Sequence, residues 1–273
     1  MILRHIAIIV LFFLSYVLQA QGVLNEQPKM LFNNEQTVGA FLNSNGIGGE
    51  YRLAKYINAR NDRLFEIGLH YVKHPKEYKS VRLYQYSTRR FVFGKENLFW
   101  ELQGHIGHQH ELYRKYDFSA ISVRLYYVGG VSLGFLKPVY YEILNSLTGN
   151  IEDEIRFDPS VHPYNYGGTA SFTKGFNEIK IVPGLSVKGG FSFEYSEREP
   201  VVHALDVGLG FTAYPSNIEI MAIEKDQYFF FKMFAAYRFG TLIDISEGAK
   251  AKSFLERRKE RLDQVKEAQK TMQ

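Results

Sequence analysis

Gly184–Tyr214 reads GLSVKGGFSFEYSEREPVVHALDVGLGFTAY. In an extended chain Leu185, Val187, Gly189, Phe191, Phe193 and Tyr195 take one face, and Ser186, Lys188, Gly190, Ser192 and Glu194 the other. A polar turn, Ser196–Pro200, follows. The alternation then resumes with Val201, Leu205, Val207, Leu209, Phe211 and Ala213 against Asp206, Gly208, Gly210 and Thr212. Side chains of a strand repeat with period two. Two such strands, each about ten residues long, are the pattern of a transmembrane β-barrel with one face toward lipid and the other toward a polar lumen.

The amino terminus supports export. Residues 1–20 read as a signal peptide: Arg4 and His5, an apolar run Ile6–Val17, and Leu18-Gln19-Ala20 before the expected cut. About a dozen apolar residues are too few for a helical span, which needs roughly 20. Later apolar clusters, Val128–Leu136 and Phe229–Phe234, are interrupted by glycine or lysine. Only a closed barrel then satisfies every backbone group in hydrocarbon. The absence of cysteine excludes disulfides, thiolate metal sites and a cysteine nucleophile. Of 273 residues 42 are aromatic, yet mean hydropathy is slightly negative, as expected where only alternate residues face lipid.

The net charge of +4 is uneven. Residues 250–273 hold eight Lys/Arg and four acids; setting these and Arg4 aside leaves 24 basic and 25 acidic residues. The body is therefore near neutral, which argues against a nucleic-acid surface. Within the tail, Leu255, Leu262, Val265 and Met272 form one apolar stripe, so a basic periplasmic helix over 240–273 is expected, open to a periplasmic partner.

After a polar lead-in over 21–35, strands are expected near 36–43, 47–57, 63–73, 97–109, 119–129, 131–143, 184–195, 201–214 and 227–239. Turn-type residues Asn43–Gly46 and Gly129-Gly130 lie between them. Nine is odd and single-chain barrels are even, so Tyr166–Lys174 is taken as a tenth strand, with eight to twelve as the range. Val81–Phe93 can hide a further hairpin. Long connections fall at 74–96, 145–165 and 215–226, and this strand parity puts 145–165 on the periplasmic side. The fold class expected is all-β: an antiparallel up-and-down transmembrane barrel over 36–239 with a helical tail.

The inward face collects Glu50, Arg52, Glu66, His70, Glu101, His105, Arg124, Lys188, Glu194, Asp206, Lys232 and Arg238. In a narrow barrel such a set forms a plug of ion pairs; in a wider one it lines a pore. His105, His108, His110 and Glu111 form the one histidine cluster, but His108 and His110 face away from the other two, so neither metal nor cofactor is assigned. Ser192, His203 and Asp206 co-occur without a catalytic motif, so no catalytic residue is assigned either.

His74–Glu77 (HPKE), Arg90–Asn97 (RFVFGKEN), Ser132–Ile143 (SLGFLKPVYYEI) and the LQAQ end of the signal together resemble uncharacterised outer-membrane β-barrel proteins of Bacteroidota. The resemblance spans most of 36–239. It implies fold and outer-membrane lipid surroundings and carries no activity. The role expected is a non-enzymatic structural, binding or envelope-assembly component. A narrow pore, a lipid-modifying enzyme and a soluble lipocalin-like barrel, whose apolar face would point inward, are the alternatives. Lys137-Pro138 is expected at a bulge or edge, because proline cannot donate to a ladder.

Overall fold

Alternating, β-branched and aromatic segments become thirteen strands in a computed structural model that describes residues 33–81, 90–115, 120–145, 150–196, 200–222 and 227–244. They are β1 (Asn33–Asn43), β2 (Gly46–Asn58), β3 (Asn61–Val72), β4 (Lys79–Val81), β5 (Arg90–Val92), β6 (Asn97–Tyr113), β7 (Ser122–Pro138), β8 (Tyr140–Leu144), β9 (Ile151–Arg156), β10 (Tyr166–Thr169), β11 (Lys180–Glu194), β12 (Val201–Ala213) and β13 (Phe229–Asp244). Eight of them close a barrel in the order β1-β13-β12-β11-β7-β6-β3-β2. Every contact is antiparallel, and the seam pairs β1 with β13 from Asn33↔Asp244 to Asn43↔Phe234. Closure leaves no unpaired edge.

The barrel has eight strands, not ten. The two strands expected at 119–129 and 131–143 are one, β7, which runs straight through Gly129-Gly130. Neither glycine has the positive φ that a two-residue hairpin turn requires. Instead Gly130 allows close approach: a Cβ there would lie 2.0 Å from the Gly104 carbonyl oxygen. The strand ends at Lys137-Pro138, which is a terminus rather than a bulge. Residues 166–169 join a separate sheet, β10-β8-β9, and where the sequence allows a hairpin, at Val81–Phe93, β5 pairs with β4, which begins earlier, at Lys79. At the carboxyl end the strand continues five residues past Phe239, to Asp244. The expected signal peptide and the rest of the expected helical tail lie outside the described residues.

With eight strands the connections sort cleanly. Both ends of the described chain, the turn at 59–60 and the connections 114–121 and 195–200 lie at one rim, called lower. The turn at 44–45 and the long connections 73–96, 139–179 and 214–228 lie at the other, called upper. The connection 145–165, expected beside the short turns, thus belongs with the long ones.

Side chains divide by face. Outward residues such as Ile67, Ile106, Val131, Leu185, Val187, Leu205 and Leu209 are exposed apolar groups. Near the upper rim the outer surface carries Tyr71 against Trp100, and Phe211 stacked on Phe229. Near the lower rim it carries Tyr195, His203, Tyr237 and Phe239 in mutual contact. Inward positions mix charged and polar side chains with small and aromatic ones and a few aliphatics such as Leu64, Val128 and Val202, and most are buried.

Candidate functional site

Inside the barrel, Arg52 of β2 stands directly across from Glu66 of β3, and its Nε lies 2.5 Å from Glu66 Oε1. Lys188 of β11 spans the lumen to reach Glu50 Oε2 at 2.5 Å and Glu66 Oε2 at 2.7 Å. Asp206 of β12 takes Arg238 Nε at 2.5 Å and Arg52 Nη1 at 3.2 Å on one oxygen. His70 Nε2 lies 3.0 Å from Glu50 Oε1. Toward the upper rim, Lys232 sits 3.5 Å from Glu101 and 3.1 Å from the Gln103 side-chain carbonyl, while Tyr214 donates to Glu101 at 2.9 Å. Toward the lower rim, Arg124 bridges Glu35 at 2.7 Å and Glu194.

The residues Glu50, Arg52, Glu66, His70, Glu101, Arg124, Lys188, Glu194, Asp206, Lys232 and Arg238 thus lie in the lumen as a central cluster, with Glu101 and Lys232 above it and Arg124 and Glu194 as a separate group below. Four cations (Arg52, Lys188, Lys232, Arg238) meet four carboxylates (Glu50, Glu66, Glu101, Asp206), so the middle of the lumen is electrically balanced. Aromatic rings fill the space between them. Arg52 lies 4.3 Å over Tyr126, and Lys188 lies 5.0 Å from the Phe41 ring. An eight-stranded barrel is only wide enough for its own side chains, and buried charges there need partners.

The upper mouth is closed by apolar packing. Ile218, Ile220 and Met221, from the connection between β12 and β13, are buried against Val72, Val92, Phe99, Leu136, Tyr214 and Phe230. Main-chain bonds stitch this plug to the segment before β6: Glu96 N donates to Ile220 O and Ala222 N to Gly94 O, each at 2.9 Å.

Beyond the plug a small head is built from the sheets β4-β5 and β10-β8-β9. Its core is Phe91, Val139, Tyr141 and Tyr166, with Phe157, Ile143 and Val161 packed against it. The Tyr141 hydroxyl lies 2.8 Å from Val92 O and accepts from Lys95 N at 2.9 Å, which ties head to barrel. Burial holds this phenol above its ordinary range. Between head and rim runs a cleft of about 210 Å³, walled by Pro138 and Phe157 and carrying Glu96, Glu178 and Glu219 against Arg156 and Lys180.

At that cleft Tyr140 donates its hydroxyl to Glu178 at 2.8 Å, and Arg156 pairs with the same carboxylate. The Tyr140 bond, then the Arg156 bond, lowers the Glu178 pKa from its ordinary 4.5. A lowered carboxylate contributes stability above its unfolded pKa and loses it as pH falls through the folded one. Amide exchange in 174–180 is therefore expected to quicken when pH drops below the ordinary glutamate range, relative to the intrinsic rate. In Tyr140→Phe that acid dependence should shrink.

Sequence reasoning missed several lumen partners. Glu35 fell in the lead-in, and Ser186 and Tyr126 carry no charge to mark them. Ser186 Oγ bonds His105 Nε2, and His105 Nδ1 lies 3.8 Å from Glu66 Oε2. This order of groups matches a serine relay, yet Ser186 and His105 are at most 4% exposed and Glu66 is already held by Arg52 and Lys188. Ser192, His203 and Asp206 do not assemble, for His203 faces outward with its Nδ1 2.7 Å from the Tyr237 hydroxyl. His108 and His110 also face outward, and His110 bonds Asn61 at 2.7 Å. Among the described residues no group of three or more His, Asp or Glu side chains is placed to hold a metal.

No protein-family model matches the chain, and no curated protein does. Among solved structures it is similar to Neisserial surface protein A (NspA), at 9% identity over 76% of this chain and 94% of that one, with a TM-score of 0.35. It is also similar to the N-terminal β-barrel domain of Pseudomonas aeruginosa OprF, at 6% identity over 78% of this chain and 98% of that one, with a TM-score of 0.33.

Proposed function

We propose that this protein is an integral outer-membrane β-barrel of non-enzymatic role. It serves as a sealed pedestal that carries a folded head on the cell surface and binds a partner or envelope component through the cleft beneath that head. The observation that carries the reading is the inverted polarity of the barrel. Charged groups are buried inside in balanced pairs, while outward positions of the central belt are apolar and the two rims aromatic. In water this arrangement would expose a broad apolar surface, a liability for a soluble protein; in a bilayer it is the stable one. A lipocalin-like barrel has the opposite polarity. Short turns at the lower rim and long connections at the upper one fit a periplasmic and an external face. In this reading residues 245–273 emerge on the periplasmic side, where a partner for them is to be sought.

Cell fractionation with heat-dependent gel migration tests the barrel, and planar-bilayer recording tests the sealed lumen. Recovery with outer membranes, a heat shift and no conductance is expected. Soluble recovery overturns the membrane reading. Stepwise conductance from the heat-shifting form favours the narrow pore, because the ion pairs and the plug would then have to part.

A further inference from the structure

Lys137 shares its outward parity with Val131, Leu133 and Phe135, yet it is only 5% exposed. The rings of Phe172 and Phe176, edge to face at 5.4 Å, cover it, and its Nζ lies 4.8 and 5.1 Å from their centroids. Among the described residues no carboxylate lies within ion-pair distance of this ammonium, whereas the neighbouring Lys174 is taken by Glu154 at 2.6 Å. The two rings that shelter Lys137 are themselves open, at 59% and 47% exposure. They belong to a hook, 171–178, that leaves the head and folds down on the outside of β7. Gly175 makes the bend, with φ +85, and a Cβ there would lie 3.1 Å from Pro138. Just below, Ile181 pairs with Phe135 and is 60% exposed, so the apolar belt continues into the hook.

We propose that the hook is an interfacial anchor for anionic lipid. Phe172 and Phe176 rest at the boundary between headgroups and acyl chains, and a lipid phosphate supplies the counter-charge that Lys137 lacks. Three observations converge: exposed aromatic rings at a rim, where such rings anchor membrane proteins; a cation held on those rings in a desolvated position; and no protein carboxylate to neutralise it, which is costly unless another anion does so. The inference rests on the membrane-barrel reading, and it adds a lipid chemistry and a place for it.

The full chain offers its own control, because its one tryptophan, Trp100, lies on the outer face of β6. Phe176→Trp in a Trp100→Phe background, and unmodified Trp100 in parallel, are reconstituted in phosphatidylcholine vesicles with and without phosphatidylglycerol. Both are probed with lipids brominated at different depths. The expected result is that Trp at 176 emits blue-shifted light and is quenched most by the shallowest bromines, more so with phosphatidylglycerol. Lys137→Gln should remove the phosphatidylglycerol dependence, and Lys137→Arg should keep it. Should Trp100 be quenched while position 176 stays water-like, the anchor is overturned and the barrel stands. Quenching of neither reporter overturns the barrel itself. Quenching at 176 that ignores phosphatidylglycerol and Lys137→Gln overturns the anionic preference. Phe172→Trp serves in place of any variant that loses its heat-dependent migration.

Discussion

Asp206→Leu is expected to destabilise the barrel by about 3–5 kcal/mol, the range for removing one member of a buried ion pair. Asp206 is fully buried, and one of its oxygens serves both Arg238 Nε and Arg52 Nη1. Its loss leaves two guanidiniums sharing the remaining carboxylates and turns a balanced lumen into one with an excess positive charge. Glu66 cannot fully compensate, since it already faces Arg52, Lys188 and, at 3.8 Å, Arg238. Urea titration of the heat-shifting form reads the effect as a lowered midpoint with an unchanged slope. Adding Arg238→Met should restore part of the loss, because the pair couples. If Asp206→Leu instead stays within about 0.5 kcal/mol of the parent, as surface substitutions do, the lumen charges are hydrated and a water path crosses the barrel.

That alternative outcome matters for function. Balanced charge, rings between the charges and an apolar plug above are three separate obstacles to ions, made by different parts of the chain. Ile218 and Ile220 could be removed without opening a path, because the layer of Glu101, Gln103, Lys232 and Tyr214 lies beneath them. In the narrow-pore reading both layers would have to part. Above the plug sits a head whose own small core includes Phe91, Tyr141 and Tyr166 and is tied through Tyr141 to Lys95 at the barrel rim.

Much of this was legible because period two is rigid. A lumen position is set by parity alone, so Glu50, Arg52, Glu66 and Lys188 could be assigned to one face from the chain. Who meets whom could not. Lys188 and Glu50 are 138 residues apart and come together only through closure. The strand count failed at Gly129-Gly130 because glycine pairs serve two ends, turning a chain and letting strands approach, and the difference lies in φ. The decisive sign was present: Val123, Leu125, Tyr127, Val131, Leu133 and Phe135 keep one face across the pair, and the long connection 145–165 sat on the wrong side until the two strands were merged. The plug and the head were illegible for another reason. Ile218 and Ile220 lie in a connection without periodicity, and β8 to β10 are too short to carry one.

Val187→Arg is expected to cost about 2–4 kcal/mol, the penalty for arginine on the lipid face at the bilayer midplane. Val187 is the middle residue of β11, faces outward at 56% exposure, and has Gly129 and Phe211 beside it. Nothing in the fold opposes an arginine there, for the position is open and carries no hydrogen-bonding role. Any large penalty must come from what surrounds the barrel. In water the same change would stay within about 0.5 kcal/mol, so the measurement separates a lipid-facing belt from a solvated one without relying on fractionation. A depth series sharpens it: arginine at Tyr195, near the lower rim, should cost only about 0–1 kcal/mol, because the longer side chain reaches the headgroups. Val187→Ala serves as the control for lost apolar area. A penalty that peaks at 187 and decays toward both rims is the signature of a hydrocarbon slab. A flat profile along β11 means that the apolar belt faces another protein or folds against itself, and the membrane assignment fails with it.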